Sequence, residues 1–180
     1  METLRGQLLI AGPGLWDPNF RRTVVLVGHH DEDGAVGVVL NRSLDVQVSE
    51  AVPPLAGLVG PEDVVFAGGP VEPGGIVVVA DFSDPSVAEV LALDSIGFLP
   101  PSTDDDLSGS IRRARVFTGY AGWGPGQLEA ELDEGGWILE PARPEDVFHP
   151  DPSRLWDDVL RRKGRDFDLI RLMPVDPSMN

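Results

Sequence analysis

The amino-acid sequence predicts an α+β fold, and two observations support this class. Short runs rich in apolar and β-branched residues recur through the first half of the chain and are separated by glycine- and proline-containing turns. Helical patterns accompany these runs but do not alternate with them regularly, as a doubly wound parallel sheet would require. The chain has 180 residues, of which 42% are hydrophobic, and these values are typical of one globular domain. We therefore expect a single domain over residues 1–180.

The strongest strand pattern is a hairpin. Residues 23–28 and 35–40 are β-branched-rich runs, and the polar connection between them ends in Asp33-Gly34, which is a strong turn signal. Both runs are almost entirely apolar instead of alternating with polar residues. This pattern predicts strands that are covered on both faces.

The other strands are predicted from short apolar runs that lie between turn residues. These runs occupy residues 7–11, 64–67, 76–80, 115–118 and 137–139. The glycine-rich stretch 119–126 follows the fourth run, and we expect it to form a rigid turn beside a polar cleft.

Two helices have clear start and stop signals. Residues 127–133 place Leu128 and Leu132 four apart on one face, and Gly135-Gly136 ends that helix. A second helix opens with Asp151-Pro152-Ser153 and ends at Gly164, where a C-terminal glycine belongs. Its apolar stripe consists of Leu155, Trp156, Val159 and Leu160.

Three shorter helices have weaker signals. Pro53-Pro54 confines any helix in residues 48–59 to a piece that starts near these prolines. Asp104-Asp105-Asp106 has the charge of a first helical turn, with Ile111 on the apolar side. Ser83-Asp84-Pro85 has N-cap and first-turn chemistry for a helix that carries Val87, Val90 and Leu91.

Composition disfavours several classes of partner. The net charge of −16 comes from 30 acidic and 14 basic residues, and this field repels both nucleic-acid phosphates and anionic lipids. The chain has no cysteine, so it can form neither disulfides nor thiolate metal sites. The first residues lack the pattern of a secretory leader and no apolar run could span a bilayer. We therefore expect a cytoplasmic protein that binds neither membranes nor, directly, nucleic acids.

No motif in the sequence predicts a catalytic, metal or cofactor site. His29 and His30 are adjacent on an extended segment and should point to opposite faces, so hydrogen bonding at a turn is favoured over ligand binding. Residues 31–34 place glycine too early for a calcium loop. The glycine stretches 68–70 and 122–126 match no phosphate-binding loop, although anion binding at the helix start at Gln127 stays an alternative to a packing turn.

Several segments, taken in order, resemble the AlgH/YqgE family of bacterial proteins, whose members are often labelled transcriptional regulators. The most specific is Gly119-Tyr120-Ala121-Gly122-Trp123 with Gly126-Gln127-Leu128-Glu129. The resemblance covers about residues 5–164 and is loose in the tail 165–180. It implies a bent, largely antiparallel sheet folded into a pseudo-barrel with a few flanking helices, and it implies no established activity. The other matching segments are 9–13, 17–20, 22–25, 30–42, 68–71, Trp137, 141–142, Phe148 and 154–156.

Polar and aromatic residues within these segments form the candidate site. One interpretation is a structural network that satisfies loop carbonyls and caps turns. The other is a shared cleft for a small ligand or a peptide, with the glycine-rich stretch at its side. The candidates are Asp17, Arg22, His30, Asn41, Tyr120, Trp123 and Gln127.

Three classes of function are compatible with the sequence. A regulatory or partner-binding protein without catalysis is the first. A small-molecule or nucleotide-responsive binding protein is the second, and an enzyme of unrecognised type is the third. A deep pocket lined by Asp17, Arg22, His30 and Asn41 would favour the second and third, whereas a flat surface there would favour the first.

Overall fold

A computed structural model describes residues 2–100 and 107–173. In these residues ten strands form one sheet. The strands are β1 (Gln7–Ala11), β2 (Val24–Asp31), β3 (Gly34–Val39), β4 (Ser43–Gln47), β5 (Val64–Ala67), β6 (Val71–Phe82), β7 (Val90–Leu93), β8 (Ile96–Phe98), β9 (Ile111–Trp123) and β10 (Trp137–Pro141).

The helices are short and flank the sheet. The α-helices are α1 (Val48–Ala51), α2 (Gln127–Asp133), α3 (Pro144–Val147), α4 (Leu155–Lys163) and α5 (Asp168–Leu172). Single turns of 3-10 helix lie at Pro53–Leu58, Pro85–Val87, Ser108–Ser110, Pro152–Arg154 and Arg165–Phe167. None of the helices in the described part of the chain has the length and apolar character needed to cross a membrane.

The sheet is largely antiparallel, bent and open. Its main path runs β10-β1-β2-β3-β9-β6-β8-β7, and β5 joins β9 as the parallel pair, with β4 beside it. The far end of the path returns over β2: a side chain at Gly28 would collide with the ring of Phe98, since an added Cβ would lie 2.2 Å from it. The last strand of the path, β7, approaches β2 without a hydrogen-bonded ladder between the two in the described residues. The α+β class and the bent antiparallel sheet are thus confirmed, with a barrel that does not close.

Three apolar clusters cover both faces of this sheet. The cluster enclosed by the bend collects side chains from β1, β2, β3, β5 to β9 and α4. A second lies on the other face of β1 to β3, beneath α2. A third lies between β5, β6 and β9 and the segment that contains α1. The predicted two-sided burial is confirmed for β2, since Val24 to Val27 point into the first and second clusters alternately. In β3 it holds for Val38 and Val39, whereas Val36 is exposed.

Most predicted elements are present, with differences in three places besides residues 48–59. There the expectation that any helix starts near Pro53-Pro54 is wrong in part, because α1 (Val48–Ala51) precedes the prolines and the 3-10 turn Pro53–Leu58 begins at them. The capping signal at Asp84 is confirmed, because its side chain accepts a hydrogen bond from the Ser86 N–H, but only the 3-10 turn Pro85–Val87 follows. The prediction that Val90 and Leu91 lie on that helix is wrong, because both belong to β7. Ile111 likewise begins β9 instead of packing on a helix, and the proposed helix start at Asp104-Asp105-Asp106 lies outside the described residues.

The third difference concerns the glycine-rich stretch 119–126. The predicted turn is wrong over residues 119–123, because β9 continues through them and pairs with β3. The strand kinks at Gly119, whose φ is +71°. An added Cβ at Gly119 would lie 2.3 Å from the Gly69 carbonyl oxygen, so only glycine permits this approach of the two chains. The turn itself is limited to residues 124–126.

Candidate functional site

Two of the predicted site residues, Asp17 and Asn41, support the chain between β1 and β2. The Asp17 carboxylate accepts the Asn19 N–H at 2.9 Å and so caps a turn. The Asn41 amide joins two segments, accepting the Val24 N–H and donating to the Arg22 carbonyl, both at 2.9 Å. The structural roles considered for these residues, turn capping and satisfaction of a loop carbonyl, are therefore present in the molecule.

His30 and Gln127 are fixed at the other end of the β2–β3 hairpin. The His30 side chain is buried, and its Nδ1 accepts the Leu4 N–H at 3.0 Å. Its Nε2 therefore carries the proton that is donated to Glu129 Oε1 at 2.5 Å. This hydrogen bond is the main cause of the lowered pKa of the Glu129 carboxyl. Gln127 is exposed, and its Oε1 accepts the Gly124 N–H at 3.0 Å, which closes the turn before α2.

Tyr120 and Trp123 lie on opposite faces of β9, because residues three apart in a strand differ in face. Tyr120 packs against the cluster enclosed by the bend, whereas Trp123 belongs to the cluster beneath α2. The described structure therefore does not gather the seven predicted residues in one cleft. That any of them contacts a partner stays a prediction.

Trp123 is part of an aromatic cluster that faces a carboxyl group. The rings of Phe20, Trp123 and Trp137 have centroids 5.6 to 6.1 Å apart. Glu131 of α2 lies beside the two indoles, although Glu131 Oε2 and Trp137 Nε1 have no hydrogen-bond partner within the described residues. Burial raises the pKa of the Glu131 carboxyl and outweighs the opposing effect of the indole N–H groups.

Glu131→Gln is expected to stabilise the protein at neutral pH. A carboxyl whose pKa is higher in the folded state binds its proton more tightly there, so its contribution favours folding at low pH and is lost as the pH rises through the folded pKa. The ordinary value is 4.5, so the variant should melt at a higher temperature than the wild type at pH 7 and at an equal temperature near pH 4.

The exposed Glu62 provides the control for this measurement. In the Glu62→Gln variant, the difference between the melting temperatures at pH 7 and near pH 4 should equal that of the wild type. A Glu131→Gln variant that melts at a lower temperature at pH 7 would show that the carboxylate itself holds the two indoles in place.

A surface groove lies between the loop that follows β1 and the helices at the end of the described chain. The groove is shallow and encloses about 30 Å³. Eight of its ten lining residues are apolar or glycine, and the other two are arginines. We call it the Trp16 groove, and it is lined by Ala11, Gly12, Pro13, Leu15, Trp16, Arg21, Arg22, Trp156, Ile170 and Met173.

Trp156 and Arg22 form the floor of the groove. The Trp156 indole donates to the Ala11 carbonyl at 3.1 Å, which joins α4 to β1. The Arg22 guanidinium lies over the Trp156 ring, 4.7 Å from its centroid, and donates to the carbonyl of Met173. Stacking of this kind holds a guanidinium in one plane. The floor is thus an arginine–tryptophan pair with a fixed orientation.

The loop that carries the arginines is held in an unusual conformation. Arg22 has φ +56°, a left-handed value that a residue with a side chain adopts at a cost of about 1 kcal/mol or more. Arg42 supports the loop from below by donating to the carbonyls of Pro18, Asn19 and Arg21 at 2.7 to 3.2 Å. Burial lowers the pKa of Arg42. Strain of this type is often retained where a side chain has a function.

The rim of the groove exposes large apolar side chains. Trp16 is 48% and Met173 42% exposed, and the nearby α5 presents Leu169 and Leu172 at 79% and 77%. Of the predicted site residues, only Arg22 lines this groove. Sequence reasoning missed Trp16, although an apolar residue within the turn-rich segment 12–18 was a visible signal.

Comparisons with known proteins place the chain among relatives of this fold. A family model described as "AlgH-like" matches residues 8–168. A UPF0301 protein of Streptomyces coelicolor is 43% identical over 187 residues, covering 100% of this chain and 97% of the relative. A UPF0301 protein of Thermobifida fusca is 39% identical and covers 99% and 96%. These names state no activity.

Two solved structures have the same architecture. The crystal structure of protein DIP2367 from Corynebacterium diphtheriae has a TM-score of 0.84 at 28% identity, covering 96% of this chain and 94% of that one. The solution structure of the AlgH protein from Pseudomonas aeruginosa has a TM-score of 0.72 at 28% identity, covering 97% and 98%. The fold defines an α+β protein with a bent, open sheet. The chain belongs to the AlgH-like family.

Proposed function

We propose that the protein is a non-catalytic, partner-binding protein and that it engages its partner through the Trp16 groove. The observation that carries the proposal is the apolar surface at and around the groove. Exposed apolar residues gathered beside a concave site are typical of interaction surfaces. Trp16 and Met173 line the groove, and the exposed Leu169 and Leu172 lie on α5, which also carries the lining residue Ile170.

The hydrogen bonds of the predicted polar residues support the same proposal. Asp17, His30, Asn41 and Gln127 each bond to backbone or side-chain groups of the protein. A residue that holds a turn or joins two strands contributes to the fold, and these bonds account for the polar residues without a ligand. A regulatory effect would then follow from binding alone.

A small-molecule binding protein is the second candidate. The size of the groove speaks against it, since the space enclosed there is about 30 Å³, well below the 300–1,000 Å³ typical of ligand pockets. The exposed Leu169 and Leu172 extend beyond the lining residues, and a small ligand would leave them uncovered. This extent favours a macromolecular partner.

Affinity capture from native lysate, with mass spectrometry of protein and metabolite fractions, tests the proposal. Trp16→Ser removes the largest exposed apolar side chain of the groove. Ile76→Ser is the matched control, because Ile76 is 42% exposed and does not line the groove. We expect a protein that is captured by the wild type and the Ile76 variant and lost with the Trp16 variant. Equal capture by all three would contradict the proposal, and a metabolite in place of a protein would favour the second candidate.

Duplex DNA is expected not to be the partner. The net charge is −16, and the one basic cluster of the sequence is largely paired: Arg161 with Asp157, and Arg162 and Lys163 with Glu140. Titration of labelled duplex at physiological ionic strength should give no sub-micromolar affinity. Tight binding with a steep salt dependence would contradict this expectation. The cluster consists of Arg154, Arg161, Arg162, Lys163 and Arg165.

A further inference from the structure

The Trp16 groove differs in charge from the protein that carries it. The net charge of the chain is −16, yet the two charged side chains that line the groove are Arg21 and Arg22. The acidic groups of α4 and α5 all have partners: Arg171 pairs with Asp157 at 2.9 Å and with Asp168 at 2.7 Å, and Asp158 bonds to His149 at 2.8 Å. The groove is therefore a locally cationic site on an acidic protein.

Both arginines retain donors for a ligand. A guanidinium has five N–H donors, and within the described residues the Arg22 group donates to one acceptor, the Met173 carbonyl. Arg21 is exposed, and in residues 2–100 and 107–173 its guanidinium has neither a hydrogen-bond nor an ion-pair partner. Guanidinium groups recognise carboxylates with short, charge-assisted hydrogen bonds.

The rest of the lining fits an apolar side chain. The walls are formed by Leu15, Trp16, Ile170 and Met173, with the Trp156 ring below them. An aromatic or aliphatic side chain that enters between these walls would bring a neighbouring carboxylate to the arginines. Recognition of this kind combines one buried anchor with one charged contact.

Resting on the proposed function, we infer that the groove binds a peptide segment that presents an apolar anchor side chain next to a carboxylate. Charge complementarity favours an acidic partner segment, because two guanidinium groups and no carboxylate line the groove among residues 2–100 and 107–173. The surrounding negative field of the protein then disfavours acidic segments that lack the anchor. The groove is therefore expected to select peptides that carry both the apolar anchor and the carboxylate.

A displayed library of random heptapeptides, selected on the full chain, tests the inference. We expect enriched sequences to place a large apolar residue beside Asp or Glu. A synthetic peptide of the consensus should lose about tenfold in affinity when its acid is replaced by the amide, as one charge-assisted contact of about 1.4 kcal/mol implies. Selection that yields no enriched sequence, or sequences without an acid, would overturn the inference.

Four variants locate the binding. Arg21→Gln removes an exposed guanidinium and should lower the affinity for the consensus peptide about tenfold. Arg5→Gln removes another exposed guanidinium and should leave this affinity unchanged. Trp16→Ser should abolish binding and Ile76→Ser should leave it unchanged. A peptide that binds all four variants equally contacts another surface, which overturns the inference.

Two further outcomes distinguish the rival occupants. If the consensus peptide binds only after residues 174–180 are removed, that segment of the same chain occupies the groove and the inference is overturned. If lysate capture depends on Trp16 but the enriched peptides are basic or uncharged, the partner class is wrong while the proposed function stands. Failure of both experiments would remove the proposed function as well.

Discussion

Trp156→Ala is expected to lower the free energy of unfolding by about 3–5 kcal/mol. The side chain is 7% exposed and belongs to the cluster enclosed by the sheet. Truncation leaves a cavity there, removes the hydrogen bond to the Ala11 carbonyl and takes the stacking surface from under Arg22. The loss is a large fraction of the 5–15 kcal/mol that stabilises a typical domain. Urea denaturation followed by circular dichroism measures it.

Trp16→Ala is the matched control for this expectation. It removes the same side chain from a position that is 48% exposed, and surface substitutions of this kind change stability by about 0.5 kcal/mol or less. An unchanged unfolding midpoint for Trp156→Ala would mean that α4 does not belong to the core and that the floor of the groove is not rigid.

Arg162→Met is expected to destabilise the protein by about 3 kcal/mol, as is typical when one partner of a buried ion pair is removed. The guanidinium donates two hydrogen bonds to Asp146, at 2.8 and 2.9 Å, and one to Glu140 at 3.1 Å. Only 5% of the Asp146 side chain is exposed, so its charge would be left without a cation in a poorly solvated place. Bonding to Asp146 also raises the pKa of Arg162.

The adjacent Arg161 offers a sharp control. It pairs with Asp157 at 2.8 Å, but 56% of its side chain is exposed, and exposed pairs contribute about 0.2–1 kcal/mol. Arg161→Met should therefore change the unfolding free energy by less than about 1 kcal/mol. Equal changes in the unfolding free energy for the two substitutions would contradict the view that the Arg162 ion pairs stabilise the packing of α4 against β10 and α3.

Elements with local signals could be predicted from the sequence. The helix 127–133 was predicted with the bounds that α2 has, because Gly126 and Gly135-Gly136 mark its ends. The stripe of α4 was predicted because its four apolar residues recur at helical spacing, and all four are buried. The hairpin followed from Asp33-Gly34 and two apolar runs. In each case the information lies within a dozen consecutive residues.

Features that depend on distant contacts could not be predicted in this way. Residues 119–123 resemble a turn in composition, and they continue β9 because β3 and the Gly69 carbonyl lie beside them. The candidate site was drawn from residues that share motifs, and the two faces of β9 separate Tyr120 from Trp123. Trp16 and Met173 both line the groove although they are far apart in the sequence, so no local sequence pattern could predict that they lie close together.

Photo-crosslinking at position 16 tests the central claim most directly. The photoreactive amino acid benzoylphenylalanine, placed in the living cell at Trp16 or at Ile76 of the full chain, reports what contacts each side chain. Both positions are similarly exposed, and only the first lines the groove. The account predicts a discrete protein adduct from position 16 that is absent from position 76 and reduced by Arg21→Gln. No adduct at position 16, or the same adduct at both positions, would contradict it.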